Sequence, residues 1–339
     1  MLQILPITQA EKWDELVTSL PEYDFYSLAE YHRLDPSGTP FLLSYKDDIT
    51  EDQILFPVII RPIPETDYRD VTSVYGYAGP LSQKVPQKDV LLRFHEDLKS
   101  FFDTENIVSA FSRLHPLFSG QSELLFGLGE IRDTNPTVVI DLKQPYEKQW
   151  QDYAPTMRYD INRMLKSGLS MRCVERKEDV DEFIRIYYEN MDRVNASPSY
   201  YFPASYFHDF FGKINSRFLL AEVDGQVVGG VLLTLCGRIM QCHLAATRTT
   251  ALRWSPAKCL WDEASRLGRR EGMDYFHLGG GYGGQNDSLF SFKSHFSKSY
   301  LMFRTWRYIH QSQVYSELCQ ARQIDPASSY FPAYRLDKK

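Results

Sequence analysis

Apolar and polar residues alternate along the chain in periods that predict a succession of helices and strands. In the first half, Trp13, Leu16, Val17 and Leu20 recur at helical spacing, and Thr8 precedes Glu11 at the spacing of a capping box. A second short helix is predicted over 26–34. Strands are predicted over 41–45 and 54–60, the latter ended by Arg61-Pro62-Ile63-Pro64, since two prolines cannot continue a ladder. An extended segment then leads into Val74-Tyr75-Gly76-Tyr77-Ala78-Gly79-Pro80, a turn rich in glycine and aromatics. A helix over 90–102 and strands over 108–112 and 137–142 complete this half.

The second half has the clearer pattern. A helix over 156–166 is followed by Gly168, a residue type favoured just past a helix end. A strand over 170–174 and helices over 179–194 and 205–214 come next. Strands over 218–223, 227–236 and 240–245 form a meander, with Asp224-Gly225 as its tight hairpin turn. A helix from Pro256 to about Glu271 is closed by Gly272, and a strand over 275–278, a strand over 301–308 and a helix over 312–323 finish the chain. Each half thus reads as two helices, an antiparallel meander, then helix, strand, helix, strand. That order resembles the GNAT N-acyltransferase layout taken twice. The predicted class is α+β (mixed α/β), with tandem GNAT-like domains over 1–155 and 156–339, each a largely antiparallel sheet flanked by helices.

The chemistry concentrates after the strand at 275–278. There the chain reads His277-Leu278-Gly279-Gly280-Gly281-Tyr282-Gly283-Gly284, then Asp287-Ser288-Leu289-Phe290-Ser291-Phe292-Lys293 and Phe296. Glycines at this density pack nothing and suit a sharp bend or a close backbone approach to a ligand. A lysine just beyond them can meet negative charge, and the flanking aromatics would anchor the segment. The segment reads as the wall of an active site; the alternative is a hairpin with a solvated lysine. It has neither the G-x-x-x-x-G-K-[ST] spacing of a nucleotide loop nor the G-x-G-x-x-G of a dinucleotide turn.

Composition narrows the class. The 339 residues fit two domains, and 43% hydrophobic with 24% charged residues are globular values. No apolar run approaches the roughly 20 residues that span a bilayer, and the N-terminus lacks a secretion signal, so a cytoplasmic protein is expected. Five cysteines without a C-x-x-C pair suggest reduced thiols and no metal site. The net charge of −6 conceals a division. Residues 1–155 hold 13 Lys+Arg against 25 Asp+Glu, whereas residues 156–339 hold 25 against 19. A polyanion would meet the second half, where Arg248, Arg253, Lys258, Arg266, Arg269 and Arg270 form the richest basic cluster. A solvated helix face is the other reading of that cluster.

The segment Phe276 to Gly281, with Asp287-Ser288-Leu289-Phe290-Ser291-Phe292-Lys293 and Phe296, resembles the signature of the Fem family of aminoacyl-tRNA-dependent peptidyltransferases. Phe56-Pro57 with Arg61, Tyr75 to Pro80, Arg158 with Ile161 and Lys166-Ser167-Gly168, and Asp181-Glu182-Phe183 with Tyr187 and Met191 agree, so the resemblance covers nearly the whole chain. It implies transfer of an aminoacyl group from tRNA to an amine of a peptidoglycan precursor, small peptide or other small acceptor. No further cofactor is implied. Phe292 and Lys293 would occupy the family's essential phenylalanine–lysine pair, the lysine stabilising either the oxyanion or the departing 3′-oxygen. Phe292 is a candidate to stack on the terminal adenine or to serve as core, and Asp287 to accept a proton or to cap a helix. Gly279, Gly280, Gly281, Arg248, Arg253 and Lys258 are the donor-binding candidates. Arg61, Tyr75, Tyr77 and Arg158 are those for the acceptor. His243 and His277 lie on strands, where a satisfied core histidine is the commoner outcome. The family's long coiled-coil arm is absent, as it is from compact members. The alternative, an acyl-CoA-dependent N-acyltransferase, is disfavoured because residues 246–256 contain no glycine to wrap a pyrophosphate.

Overall fold

The computed structural model describes residues 1–281 and 287–336, so Tyr282, Gly283 and Gly284 of the glycine run lie outside the described residues. The chain divides into two compact units, Met1–Thr134 with Met302–Lys339, and Asn135–Leu301.

The first unit begins with β1 (Leu2–Pro6), α1 (Ala10–Thr18) and α2 (Ala29–His32). Antiparallel pairing follows among β2 (Thr39–Lys46), β3 (Gln53–Pro62), β4 (Arg69–Thr72) and the short β5 (Leu81–Ser82). Next come α3 (Lys88–Thr104), β6 (Ile107–Leu114) and α4 (Gln121–Leu124). The helix α3 lays Val90, Phe94, Leu98 and Phe102 against Leu43, Phe56 and Ile107, every one fully buried. Thr8 makes no capping box: it sits in a single turn ahead of α1, whose N-cap is Gln9 with no side-chain bond.

The strand β7 (Glu130–Asp141) contains the passage into the second unit, which continues with α5 (Tyr146–Asp152), α6 (Pro155–Lys166), β8 (Ser170–Cys173), α7 (Lys177–Arg193) and α8 (Ala204–Lys213). The meander is β9 (Ser216–Val223), β10 (Gln226–Cys236) and β11 (Ile239–Thr247), followed by α9 (Ala257–Arg270), β12 (Tyr275–Gly279) and α10 (Ser288–Lys293). The hairpin turn has Asp224 at φ 50° and Gly225 at φ 74°, two positive values in succession, as a type I′ turn requires. Within this unit β8–β9–β10–β11 are antiparallel, β11–β12 is parallel and β12–β7 antiparallel. Val138, Ile140, Val231, Leu233, Leu260, Phe276 and Phe296 belong to its core.

The strand β13 (Ser299–Ile309) and α11 (Ser312–Ala321) return the chain to the first unit. The division therefore differs from the expected 1–155 and 156–339. Arg304–Ile309 forms an antiparallel ladder with Ser109–Leu114, and α11 packs Tyr315 and Cys319 with Ile63 and Val108. Residues 135–155 belong instead with the second unit, where Asp141 pairs with Tyr275 and the Tyr153 hydroxyl bonds Asp262. Such long-range ladders leave no local trace in the periodicity.

Candidate active site

In the second unit the parallel register of β11 with β12 is short. It runs only from Ile239–Tyr275 to Gln241–His277, while β11 continues to Thr247. The two strands therefore part after Gln241 and His277, leaving a wedge with Cys242 on one side and the start of the glycine run on the other. Gly279 turns the chain out of β12 at φ 74°, a value costly for any residue with a Cβ. A Cβ on Gly280 would stand 3.2 Å from the Pro136 carbonyl oxygen, so the backbone passes close to its neighbour here.

Lys293 reaches this wedge from the end of α10. Asp287 caps that helix, its Oδ1 accepting from the Phe290 N–H at 2.9 Å. The Lys293 side chain is buried, 9% exposed, and Nζ donates to the Gly280 carbonyl oxygen at 2.6 Å. Burial pushes its pKa down to about 8, against the opposing pull of Cys242 and Asp287. Burial also pushes the Cys242 thiol up to about 12, with Lys293 opposing. A desolvated ammonium at the mouth of a cleft can stabilise an oxyanion strongly, because few waters screen it.

The wall behind it is aromatic. Phe292 lies 5.0 Å from the Trp261 ring and 5.6 Å from Phe296 between centroids, and the Trp261 centroid is 6.0 Å from Lys293 Nζ. Phe292 also lines a cavity of about 290 Å³, together with Met157, Asp160, Lys258, Ser291 and His295. Phe292 thus borders a space as well as packing on the core. Trp261 went unnoticed in the sequence because its neighbours on α9, Leu260, Ala264 and Leu267, read as a plain buried stripe.

The donor-binding candidates separate. Gly279 and Gly280 line the wedge, with Gly281 next in the chain. Lys258 borders the small cavity but donates to Asp160 at 2.5 Å. Arg248 lies in a different, polar cavity of about 620 Å³, bound to Glu182 and, at 2.7 Å, to the Val227 carbonyl. Arg253 stacks on Trp254, 4.6 Å from its centroid, with no carboxylate partner among the described residues. Arg266 pairs with Asp262, Arg270 with Glu263, and Arg269 donates to the carbonyls of Leu142 and Gln144.

The acceptor candidates fall in both units. In the first, Arg61 binds the buried Asp70 at 2.8 Å, a carboxylate that also accepts from Tyr334 and Arg335. Tyr75 is 40% exposed, its carbonyl accepting from the Tyr31 hydroxyl at 2.8 Å. Tyr77 meets the edges of Tyr26 and His115. In the second unit, Arg158 stands on α6 and contacts the Gln151 carbonyl at 3.4 Å. His243 is a core residue bonded to the Tyr206 hydroxyl at 2.7 Å, with burial pushing its pKa down to about 3. His277 pairs with Gln241 at 2.8 Å.

Residues 152–290 match the model of the family described as "Acetyltransferase (GNAT) domain". No curated protein matches the chain at the sequence level. Solved structures do match in fold. FemX superposes with a TM-score of 0.73 at 12% identity, covering 93% of this chain and 99% of its own. The structure of L-PGS from Bacillus licheniformis gives 0.60 at 13% identity over 92% of this chain and 96% of that one. The C-terminal domain of a putative lysylphosphatidylglycerol synthetase from Agrobacterium fabrum gives 0.57 at 14%, over 92% and 94%. The parted strands, the match of residues 152–290 to the GNAT domain model and these superpositions give the chain a GNAT fold, arranged over its length as in FemX.

Proposed function

We propose that the protein transfers an aminoacyl group from aminoacyl-tRNA to an amine, forming an amide bond in the cytoplasm. The observation that carries this reading is the Lys293 ammonium, desolvated between Cys242 and Gly280 where β11 and β12 part. The ester of a charged tRNA is already activated, so positioning and oxyanion stabilisation suffice. The acceptor nitrogen attacks the ester carbonyl, a C–N bond forms, and Lys293 steadies the oxyanion. The C–O bond to the 3′-oxygen then breaks, and the proton given up by the amine ends on that oxygen. Asp287 holds the lysine turn in place through its cap.

The likeness to FemX and to synthetases of lysylphosphatidylglycerol supports aminoacyl donors. A peptidoglycan precursor or small peptide is the acceptor we favour. Purified protein incubated with a pool of charged tRNAs and candidate amines should form product that RNase abolishes. Product that survives RNase would overturn the tRNA role. The GNAT family match favours one second reading, an acyl-CoA donor. Saturation by a CoA thioester would establish it.

A further inference from the structure

We propose that the indole N–H of Trp261 is a second hydrogen-bond donor to the acyl oxygen of the donor substrate, acting beside Lys293. This rests on the acyl-transfer reading above. Trp261 stands in the second turn of α9 and is 3% exposed. Its Nε1 is fully buried and has no acceptor among the described residues. Buried donors in native folds are almost always paired, so this N–H is available to an acceptor that a ligand supplies. The centroid of the Trp261 ring lies 6.0 Å from the Lys293 ammonium.

The ring is held in place. Phe292 and Phe296 pack on it at centroid distances of 5.0 and 5.3 Å, and Ala264 and Leu260 bury the rest of its turn. Indole Nε1–H can only donate, so the group it suits is an acceptor with no proton to offer. A carbonyl oxygen acquiring negative charge fits this description. The Lys293 ammonium spends one of its three N–H bonds on Gly280, leaving two to turn toward the same oxygen. Two donors of different kinds would then meet one oxyanion, the charge from Lys293 and a fixed dipole from Trp261. The requirement holds for an ester or a thioester carbonyl alike, and the assay's two donors tell these sources apart.

The test is Trp261→Phe, which keeps an aromatic ring while removing the donor and part of the indole's volume. Against aminoacyl-tRNA and, in parallel, a CoA thioester, turnover should fall about 100-fold with KM within about twofold. The lost volume lowers the melting temperature in either case, so the discriminating readout is turnover of the folded fraction at unchanged KM, which a packing role alone would leave within about threefold. Should that variant fail to fold, the ¹⁵N-labelled indole resonance of Trp261 in the wild-type protein, assigned by elimination of the other tryptophans, serves instead. It should move downfield on adding 3′-(L-alanylamino)-3′-deoxyadenosine. Wild-type turnover retained in Trp261→Phe, or an indole signal that does not move, overturns the inference while leaving the proposed transferase intact. A wild-type protein that transfers from neither donor overturns the proposed function and this inference with it.

Discussion

The basic face of α9 and the single lysine of α10 differ in how the fold treats a positive charge. On α9, Arg266 and Arg270 meet carboxylates, Lys258 meets Asp160, and Arg269 is taken up by backbone carbonyls. On α10, Lys293 is buried against one carbonyl, and its pKa is displaced downward to about 8. A count of basic residues therefore does not distinguish cations neutralised within the fold from those that are not. Charge already answered within the fold contributes to stability, whereas charge held dry and answered only by a carbonyl remains available to a substrate.

The sharpest way to break this contrast is Lys293→Met. Turnover should fall at least about 100-fold, the size seen when an oxyanion donor is lost. Stability should move the other way. The displacement from 10.5 to about 8 corresponds to about 3 kcal/mol against the buried charge at neutral pH, from which losing the Gly280 bond subtracts about 1. Denaturant unfolding should show the variant more stable by about 2 kcal/mol. Equal or lower stability would mean the ammonium is not desolvated.

The pH dependence follows with a definite sign. Below about 8 the folded protein carries the ammonium, so the alkaline limb of kcat/KM should fall through about 8. Between about 8 and 10.5 the unfolded chain binds the extra proton, so wild-type stability should rise with pH over that window. Lys293→Met should lack that rise, which urea titrations at pH 7.5 and 10 would show.

Arg269→Ala tests the other side of the contrast. It strips partners from the Leu142 and Gln144 carbonyls and from Gln149, and should destabilise by about 1–3 kcal/mol. Turnover of the folded fraction should change less than about threefold; a loss comparable to Lys293→Met would erase the distinction. Gly279→Ala forces a Cβ onto φ 74° and should cost about 1–2 kcal/mol in thermal unfolding. The smallest effect is expected from Arg253→Ala. Arg253 has no carboxylate partner among the described residues, so contact with a tRNA phosphate would show as a salt slope lowered by about 1 with turnover unchanged.

The sequence disclosed some of this and hid the rest for physical reasons. The Asp224-Gly225 hairpin is local, encoded in backbone freedom and the spacing of a few residues, and it stands where it was expected; of the glycine-to-lysine segment, the bend at Gly279 and the helix Ser288–Lys293 are described. Thr8 fits the spacing of a capping box, yet the helix starts at Ala10 and Thr8 lies in the turn that precedes it. The return of residues 302–309 to β6 depends on a ladder spanning almost 200 positions, which no window of periodicity contains. The acceptors that absorb the α9 cations are Asp160 of α6, Asp262 of α9 itself and the Tyr146 hydroxyl of α5, and sequence alone gives the cations' count without their pairing. Trp261 was invisible because a buried indole on an amphipathic helix reads as core until its N–H is found without an acceptor.

Direct titration of the Lys293 side chain bears on the central claim without any knowledge of the substrate. The ¹³Cε resonance of Lys293, assigned by its loss in Lys293→Met, should titrate with a midpoint of about 8, well below the other lysines. A midpoint of about 10.4, the value of a solvated lysine, would place the ammonium in water and contradict the account.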